Sequence, residues 1–255
     1  FKKILFKWQK LPVSSWGAVY YENHDQARSI PRFAPSGKYR DKAAKSLALS
    51  LLFQKGTPFI YQGQEIGMTN CSFKRNEYRD IQSVNRINDA LKLPFGKLIA
   101  YFVEKHLQHY ARDNARTPMQ WSNERNGGFT IGKPWMKMNE NYKNINVQNQ
   151  LDDKNSVLSF YKKAITLRKE YSKVITDGDF ISVNEKDRNV VAFARTAGNK
   201  TLLVLCNLSP KAVDFVIPEQ VYSKDAKLLL SNNINGIKLE RKIKLKPCDC
   251  AVWEI

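Results

Sequence analysis

The apolar residues at the start of the chain are spaced as on an amphipathic helix. Phe1, Ile4, Leu5 and Trp8 fall on one face at about 3.6 residues per turn. The chain starts without Met, and this segment has neither the long apolar core nor the small-residue cleavage site of a secretory signal. We therefore expect the sequence to begin inside a larger protein, within a helix.

The apolar pattern then alternates between strand and helix. It predicts a strand over residues 16–22, a helix with one apolar stripe over residues 41–55, and a short strand over residues 58–61. Gly56 and Pro58 give this helix a conventional end. A strand, a helix and a second strand in this order are typical of the βα repeat of a parallel barrel.

Residues 71–150 carry a weaker pattern and are rich in Asn, Arg and Lys. A long insertion at the carboxyl edge of a barrel strand usually shapes a substrate pocket, so we expect this segment to line one. A helix is predicted again over residues 156–170, where apolar residues return at helical spacing.

After this helix the pattern changes to short apolar segments separated by turn signals such as Asn235-Gly236. Strands are predicted over residues 190–195, 201–207, 212–217, 227–230, 243–246 and 251–255. Such a series is typical of an antiparallel sandwich. We place the domain boundary near Thr176, which gives a first part over residues 1–175 and an all-β domain over residues 176–255.

Composition narrows the class of protein. The 255 residues are 42% hydrophobic and 26% charged, as in an ordinary globular chain. No apolar stretch approaches the roughly 20 residues that a membrane helix needs. The formal net charge of +18 would suit a nucleic-acid partner, but Lys and Arg are spread along the whole length without a basic block. We therefore expect neither a nucleic-acid nor a membrane partner.

The cysteines and histidines give no metal-binding pattern. The four cysteines lack the paired spacing of a zinc site, so we expect reduced thiols in a cytoplasmic protein. They are Cys71, Cys206, Cys248 and Cys250. His106 and His109 lie three residues apart on a possible helix, but no carboxylate motif joins them, and we interpret them as surface residues. Neither a metal nor a cofactor is predicted.

Polar, titratable residues follow the first predicted strand directly. His24 and Asp25 come after an apolar run, and two arginines, Arg28 and Arg32, follow them. Barrel enzymes place their chemistry at the carboxyl ends of strands, and nearby arginines would keep Asp25 ionised. The alternative is an Asp that only caps the following turn, and spacing leaves both possibilities open.

Three segments resemble glycoside hydrolase family 13, the α-amylase superfamily. The run Asn23-His24-Asp25-Gln26 is similar to the fourth signature region of that family. Residues 56–70 (GTPFIYQGQEIGMTN) are similar to its strand-eight segment, and residues 113–121 (DNARTPMQW) resemble its oligo-1,6-glucosidase and α-glucosidase branch. The resemblance implies an α/β fold, namely the carboxyl-terminal part of a (β/α)8 TIM barrel followed by a small antiparallel β-sandwich.

The resemblance also implies roles for single residues. Asp25 would be the transition-state stabiliser, because its hydrogen bonds to sugar hydroxyls tighten as the ring flattens toward an oxocarbenium ion. His24 would donate to the same sugar, Arg116 would bind the terminal sugar and close the pocket behind it, and Glu65 would line the neighbouring subsite. The alternatives are a structural His-Asp pair and an Arg116 that pairs with Asp113 on the surface.

The two principal carboxylates of a retaining glycosidase are missing from this sequence. The resemblance places the nucleophile and the acid/base on barrel strands four and five, and the chain has no Gly-Phe-Arg-x-Asp segment. We therefore expect a carboxyl-terminal portion of the enzyme that is inactive and poorly folded alone.

For the parent protein, the resemblance implies hydrolysis of α-glucosidic bonds at the non-reducing end of short oligosaccharides, with a retaining mechanism. The bonds would be α-1,6 and, as a further possibility, α-1,4. Alternatives are a trehalose-6-phosphate hydrolase or a sucrose isomerase on the same scaffold, or a non-catalytic relative that binds partner proteins. The joint presence of His24, Asp25 and Arg116 favours an enzyme. Linkage preference, substrate length and oligomeric state stay open.

Overall fold

The computed structural model describes residues 1–12 and 14–255. Its helices are α1 (Lys2–Gln9), α2 (Ser29–Arg32), α3 (Arg40–Leu52), α4 (Ile81–Lys92), α5 (Gly96–Tyr110), α6 (Val147–Leu151), α7 (Val157–Glu170) and α8 (Ser172–Asp177). Its strands are β1 (Ala18–Tyr20), β2 (Thr57–Phe59), β3 (Asp179–Ser182), β4 (Val190–Ala197), β5 (Lys200–Asn207), β6 (Val213–Val216), β7 (Lys227–Ser231), β8 (Lys242–Leu245) and β9 (Cys250–Glu254).

The predicted strand–helix–strand unit is present in the first part of the chain. Strands β1 and β2 pair in parallel, with Ala18 opposite Thr57 and Tyr20 opposite Phe59, and α3 connects them. Both strands are shorter than predicted, and within the described residues each pairs with the other alone. The residues of the predicted apolar stripe on α3 are all buried, but the buried surface extends beyond that stripe. Residues 43–52 of this helix are all buried, since it packs against both α7 and the antiparallel sheet.

The opening helix is confirmed as α1, but its predicted buried face is wrong. Leu5, Phe6 and Gln9 are buried, whereas Ile4 and Trp8 are 63% and 60% exposed. The buried side is selected by its partners in space, because the Phe6 ring lies edge-on to a phenylalanine ring of β3 at 5.4 Å and Gln9 Nε2 donates to the Lys55 carbonyl oxygen at 3.2 Å.

The last part of the chain is a two-layer antiparallel structure. One sheet has the strand order β3, β4, β5, β9, β7, and the ribbon of β6 and β8 packs on one of its faces. The six predicted strands agree with the observed ones to within two residues at each end, and β3 was not predicted. Strands β4 and β5 are apolar on both faces because the second face of the sheet is covered by helices.

A single hydrophobic core therefore joins the helices to the sheet. It contains Leu47 and Leu51 of α3 together with Phe193, Val204 and Val252 of the sheet. Polar contacts cross the same interface. They are Ser46 Oγ to the Cys248 carbonyl oxygen at 2.7 Å, Asn232 Nδ2 to the Lys42 carbonyl oxygen at 3.2 Å, and the Lys42–Asp249 ion pair at 2.8 Å. The predicted boundary at Thr176 lies within α8, and the division into two domains stays a prediction.

The segment with the weak pattern contains two long helices that were not predicted. Helices α4 and α5 form an antiparallel hairpin over a small core of their own. Its members are Cys71, Phe73, Tyr78, Ile87, Leu107, Ala111 and Met136. His106 and His109 are exposed on α5. Within the described residues no group of three His, Cys, Asp or Glu side chains could hold a metal ion, and no helix is long and apolar enough to cross a bilayer.

The shared core gives a prediction for stability. Leu51 is fully buried, so Leu51→Ala should lower the free energy of unfolding by about 2–5 kcal/mol. Urea unfolding of the chain followed by far-UV circular dichroism and by tryptophan emission should show one coincident transition, because the core joins both parts. Such a transition would also contradict the expectation that the chain folds poorly alone. The matched control is Leu98→Ala on the exposed side of α5, which should change stability by about 0.5 kcal/mol or less. Two separate transitions would contradict a common core.

Candidate active site

A short exposed turn carries the polar residues at the end of β1. The Asn23 side chain accepts a hydrogen bond from the backbone N–H of Asp25 at 2.9 Å, which fixes the turn and directs the Asp25 carboxylate outward. The Asp25 side chain is 50% exposed, and His24 Nε2 lies 3.4 Å from its Oδ2. The sequence therefore delivers a carboxylate and an imidazole side by side at the carboxyl end of a parallel strand.

Two arginines from a distant segment contact this carboxylate. Arg112 Nη1 and Arg116 Nη2 donate to Asp25 Oδ1 at 3.3 and 3.2 Å, and Arg116 Nε donates to the carbonyl oxygen of His24 at 3.0 Å. Arg112 is the first residue of the short 3-10 turn that follows α5, and Arg116 is the residue directly after that turn. The structure thus brings together the predicted residues His24, Asp25 and Arg116.

Sequence reasoning missed Arg112, although it lies only one residue before the segment that carried the family resemblance. Arg112 begins the 3-10 turn that ends just before Arg116, so the two residues are close neighbours along the chain. That spacing was the available signal.

The prediction that Arg28 and Arg32 supply the positive field around Asp25 is wrong. Arg28 forms a buried ion pair with Glu22, in which Arg28 Nη1 lies 3.1 Å from Glu22 Oε2 and both side chains are at most 1% exposed. Glu22 Oε1 accepts hydrogen bonds from Ser29 N at 2.8 Å and Ser29 Oγ at 2.6 Å. Arg32 bonds to Gln26 and to the backbone. Both arginines thus bond to the chain behind the turn. The buried Glu22 carboxylate needs a counter-charge and hydrogen-bond donors there.

The surroundings of Asp25 favour its ionised form. Desolvation raises the pKa of this carboxyl. The hydrogen bond from Arg112 and the positive charges of His24, Arg112 and Arg116 outweigh that effect and hold the pKa below its ordinary value of 3.8. An ionised carboxylate is a strong acceptor of hydrogen bonds from hydroxyl groups, and it cannot act as a proton donor.

The alternative in which Arg116 pairs with Asp113 on the surface is also wrong. Asp113 is buried, and its carboxylate accepts from the backbone N–H of Arg79 at 3.2 Å and of Asp80 at 3.0 Å. Burial raises the pKa of Asp113. Arg116 instead lies between two other carboxylates, those of Asp25 and Asp80.

Glu65 occupies a different place from the other predicted site residues. It lies in the turn between Gly63 and Gly67, and within the described residues it makes no ion pair or hydrogen bond with the Asp25 cluster. Its Oε2 atom is buried without a hydrogen-bond partner in that part of the chain. Burial raises the pKa of Glu65. The positive charge of nearby Arg28 offsets part of this increase. Gly63 has a φ of +87°, a left-handed backbone conformation that favours glycine in this turn.

Comparison with protein families identifies the family of this chain. The model described as "Alpha amylase, catalytic domain" matches residues 1–178, and that of the "Alpha-amylase SusG C-terminal domain" matches residues 190–249. The chain belongs to the α-amylase family, glycoside hydrolase family 13.

Curated relatives are glycosidases of more than twice this length. The chain is 42% identical over 257 residues to the oligo-1,6-glucosidase of Parageobacillus thermoglucosidasius, and the match covers 100% of this chain and 45% of the relative. It is 37% identical over 259 residues to the trehalose-6-phosphate hydrolase of Bacillus subtilis, again with 100% and 45% covered. The chain therefore spans less than half of the length of these relatives.

Solved structures show the same fold. The trehalose-6-phosphate hydrolase of Bacillus licheniformis has a TM-score of 0.91 at 38% identity, over 99% of this chain and 46% of that one. An isomaltulose synthase mutant from Erwinia rhapontici NX5 has a TM-score of 0.89 at 34% identity, over 100% and 45%. The strands β1 and β2 with their helices are thus the carboxyl-terminal part of a (β/α)8 barrel, and a small antiparallel β-sandwich follows, as predicted.

The arginine contacts give a prediction for pH. Arg112→Leu should raise the pKa of Asp25 toward 3.8, because the variant removes a hydrogen bond and a charge that favour the carboxylate. The pKa of Asp25 is lower in the folded chain than in the unfolded chain. These contacts therefore stabilise the fold fully at pH values above the unfolded pKa. Their contribution is lost as the pH falls through the folded pKa. The pKa of Asp25 is measured by NMR titration of its carboxyl carbon. Arg75→Leu, which removes the partner of Glu104, is the control and should leave Asp25 unchanged. If the pKa of Asp25 were equal in Arg112→Leu and Arg75→Leu, Arg112 would not act on Asp25.

Proposed function

We propose that this chain forms the sugar-binding half of the active site of an α-glucosidase. The complete site hydrolyses α-glucosidic bonds, α-1,6 and α-1,4, at the non-reducing end of short oligosaccharides with retention of configuration. The observation that supports this is the half-exposed Asp25 carboxylate at the end of a parallel strand, with His24 beside it and two arginines bound to it.

Asp25 is proposed as the transition-state stabiliser. Its carboxylate accepts hydrogen bonds from two hydroxyls of the bound glucosyl ring, and these bonds strengthen as positive charge develops on the ring. His24 donates to a hydroxyl of the same ring. Arg116 has five N–H donors in a fixed plane, so it binds the terminal sugar and closes the pocket behind it.

The nucleophile and the acid/base must come from another region. A retaining mechanism needs these two carboxyl groups about 5–5.5 Å apart, and the Asp25 cluster holds none that is free of arginine partners. An apolar surface on the β1–β2 pair fits such a region. Trp8, Trp16, Tyr20 and Phe59 are each 47–60% exposed on and around the β1–β2 pair, whose outer edges are unpaired within the described residues. Barrel strands and helices that carry the two carboxylates would cover this surface.

Glu65 is proposed to line the adjoining subsite. Its side chain is partly exposed, and it lies in the segment that resembles the strand-eight region of the family. We also propose a cytoplasmic location, since four thiols of this chain are free and buried as in a protein of a reducing compartment.

Trehalose 6-phosphate and sucrose are the second candidate substrates, because a trehalose-6-phosphate hydrolase and an isomaltulose synthase share this fold at 34–38% identity. The 42% identity to an oligo-1,6-glucosidase favours α-glucosides of the isomaltose type. A non-catalytic binding protein is disfavoured by the intact Asp25 cluster. Initial rates on isomaltose, maltose, trehalose 6-phosphate and sucrose distinguish these functions.

A hybrid enzyme tests the stabiliser role. The part of the Parageobacillus relative that this chain does not match is joined to this chain, and hydrolysis of p-nitrophenyl α-glucoside is measured. In this hybrid Asp25→Asn should lower kcat/KM by about 100- to 1,000-fold, because a preorganised transition-state contact is lost. Asp41→Asn, an exposed acid on α3, is the matched control. A folded hybrid without activity, or an Asp25→Asn variant within a few-fold of its parent, would overturn the proposal.

The same hybrid tests Arg116. Arg116→Ala should reduce kcat/KM on isomaltose by about 10- to 100-fold, because the guanidinium orients the terminal sugar against Asp25. Arg125→Ala, in an exposed loop, should leave the kinetics unchanged. If neither kcat nor KM responds to Arg116→Ala, this residue does not form the pocket wall.

A further inference from the structure

A second carboxylate lies on the opposite side of the two arginines from Asp25. Asp80 Oδ1 is 3.0 Å from Arg112 Nη2 and 3.5 Å from Arg116 Nη1. Each guanidinium therefore bridges two carboxylates, Asp25 at one end and Asp80 at the other. The two acids differ in environment, because the Asp80 side chain is 6% exposed and the Asp25 side chain is 50% exposed.

Asp80 is itself fixed by the backbone around it. It is the N-cap of α4, and its Oδ2 accepts hydrogen bonds from Ser83 N and Ser83 Oγ, both at 3.2 Å. Its own backbone N–H donates to the buried carboxylate of Asp113 at 3.0 Å. The carboxylate that faces the arginines therefore has a fixed position, in contrast to the exposed Asp25.

Two neighbouring guanidinium groups repel each other, and Asp25 alone offers them a single shared oxygen. When sugar hydroxyls occupy Asp25, the arginines lose part of that contact. A buried, rigid counter-charge behind them would keep both groups directed toward the sugar and away from solvent.

We propose that Asp80 is a positioning residue for this site. It holds Arg112 and Arg116 in the orientation in which they meet the sugar, and it acts through them without touching the substrate. This inference rests on the proposed function and adds a residue that neither the sequence motifs nor the predicted site contained.

Asp80→Asn separates this role from helix capping. Asn is as good an N-cap as Asp, so α4 keeps its first turn while the counter-charge is lost. Asp89→Asn is the matched control, because Asp89 lies on the same helix in an exposed pair with Lys92. Asp80→Ser, which also caps but cannot reach the arginines, is a second variant in case the first folds poorly.

The first measurement uses the 255-residue chain and needs no catalysis. Side-chain ¹⁵N NMR reports the rotation of each arginine guanidinium. In the parent chain and in Asp89→Asn, Arg112 and Arg116 should show separate, slowly exchanging Nη signals. In Asp80→Asn and Asp80→Ser at least one arginine should show averaged signals. Unchanged arginine signals in both Asp80 variants would overturn the proposal, even if the melting temperature fell, because that result describes a purely structural residue.

The second measurement uses the hybrid enzyme. Asp80→Asn should lower kcat/KM for isomaltose by about ten-fold or more, since small misplacements of a binding group are costly. Kinetics equal to those of Asp89→Asn would also overturn the proposal. If the parent hybrid is inactive, the proposed function fails, whereas the NMR result on the chain still decides whether Asp80 orders the arginines.

Discussion

The burial of helix α3 is the constraint on which most of this structure depends. Residues 43–52 of the helix are enclosed by other elements, although they include Lys45, Ser46 and Ser50. Each of these polar side chains bonds to a backbone carbonyl oxygen, those of Asn155, Cys248 and Leu47 respectively. Unpaired polar groups at such positions would be costly, and the bonds of Lys45 and Ser46 to other segments fix the rotation of the helix as well as its location.

The position of the candidate site follows from that packing. The Tyr21 hydroxyl, just after β1, contacts Ser50 Oγ of α3 at 3.1 Å and accepts from Gln54 Nε2 at 2.9 Å. The end of β1 is therefore tied to the helix that also packs on the antiparallel sheet. Asp25 lies four residues further along. Its position is thus coupled to the core shared by both parts of the chain.

Charges at the end of β1 form an inner and an outer arrangement with different properties. The inner pair, Glu22 and Arg28, is excluded from solvent, and both oxygens of Glu22 are bonded, so it contributes rigidity and cannot exchange partners readily. The outer cluster has Asp25 half exposed, and weakly held surface contacts can be replaced by ligand hydroxyls. A fixed inner layer beneath an exchangeable outer layer is what a sugar-binding site requires.

The sequence by itself determined the local elements and the class of fold. Periodicity and turn signals identified α3, α7 and the six strands, because their apolar segments and the breaks between them are visible along the sequence. The family motifs identified the fold and the segments that meet at Asp25. Helices α4 and α5 were missed because their hairpin buries few large apolar residues, Ile87 and Leu107, beside small or polar ones such as Ser83 and Ala100, and leaves other large apolar residues exposed.

Only the tertiary structure decided which charges act together. Arg28 and Arg32 are adjacent to Asp25 in sequence but turn toward the interior, whereas Arg112 lies 87 residues away and contacts Asp25 directly. The buried face of α1 and the place of Asp80 were decided in the same way. The physical reason is that an ion pair depends on distance in space and on burial, and neither quantity is fixed by the spacing of residues along the chain.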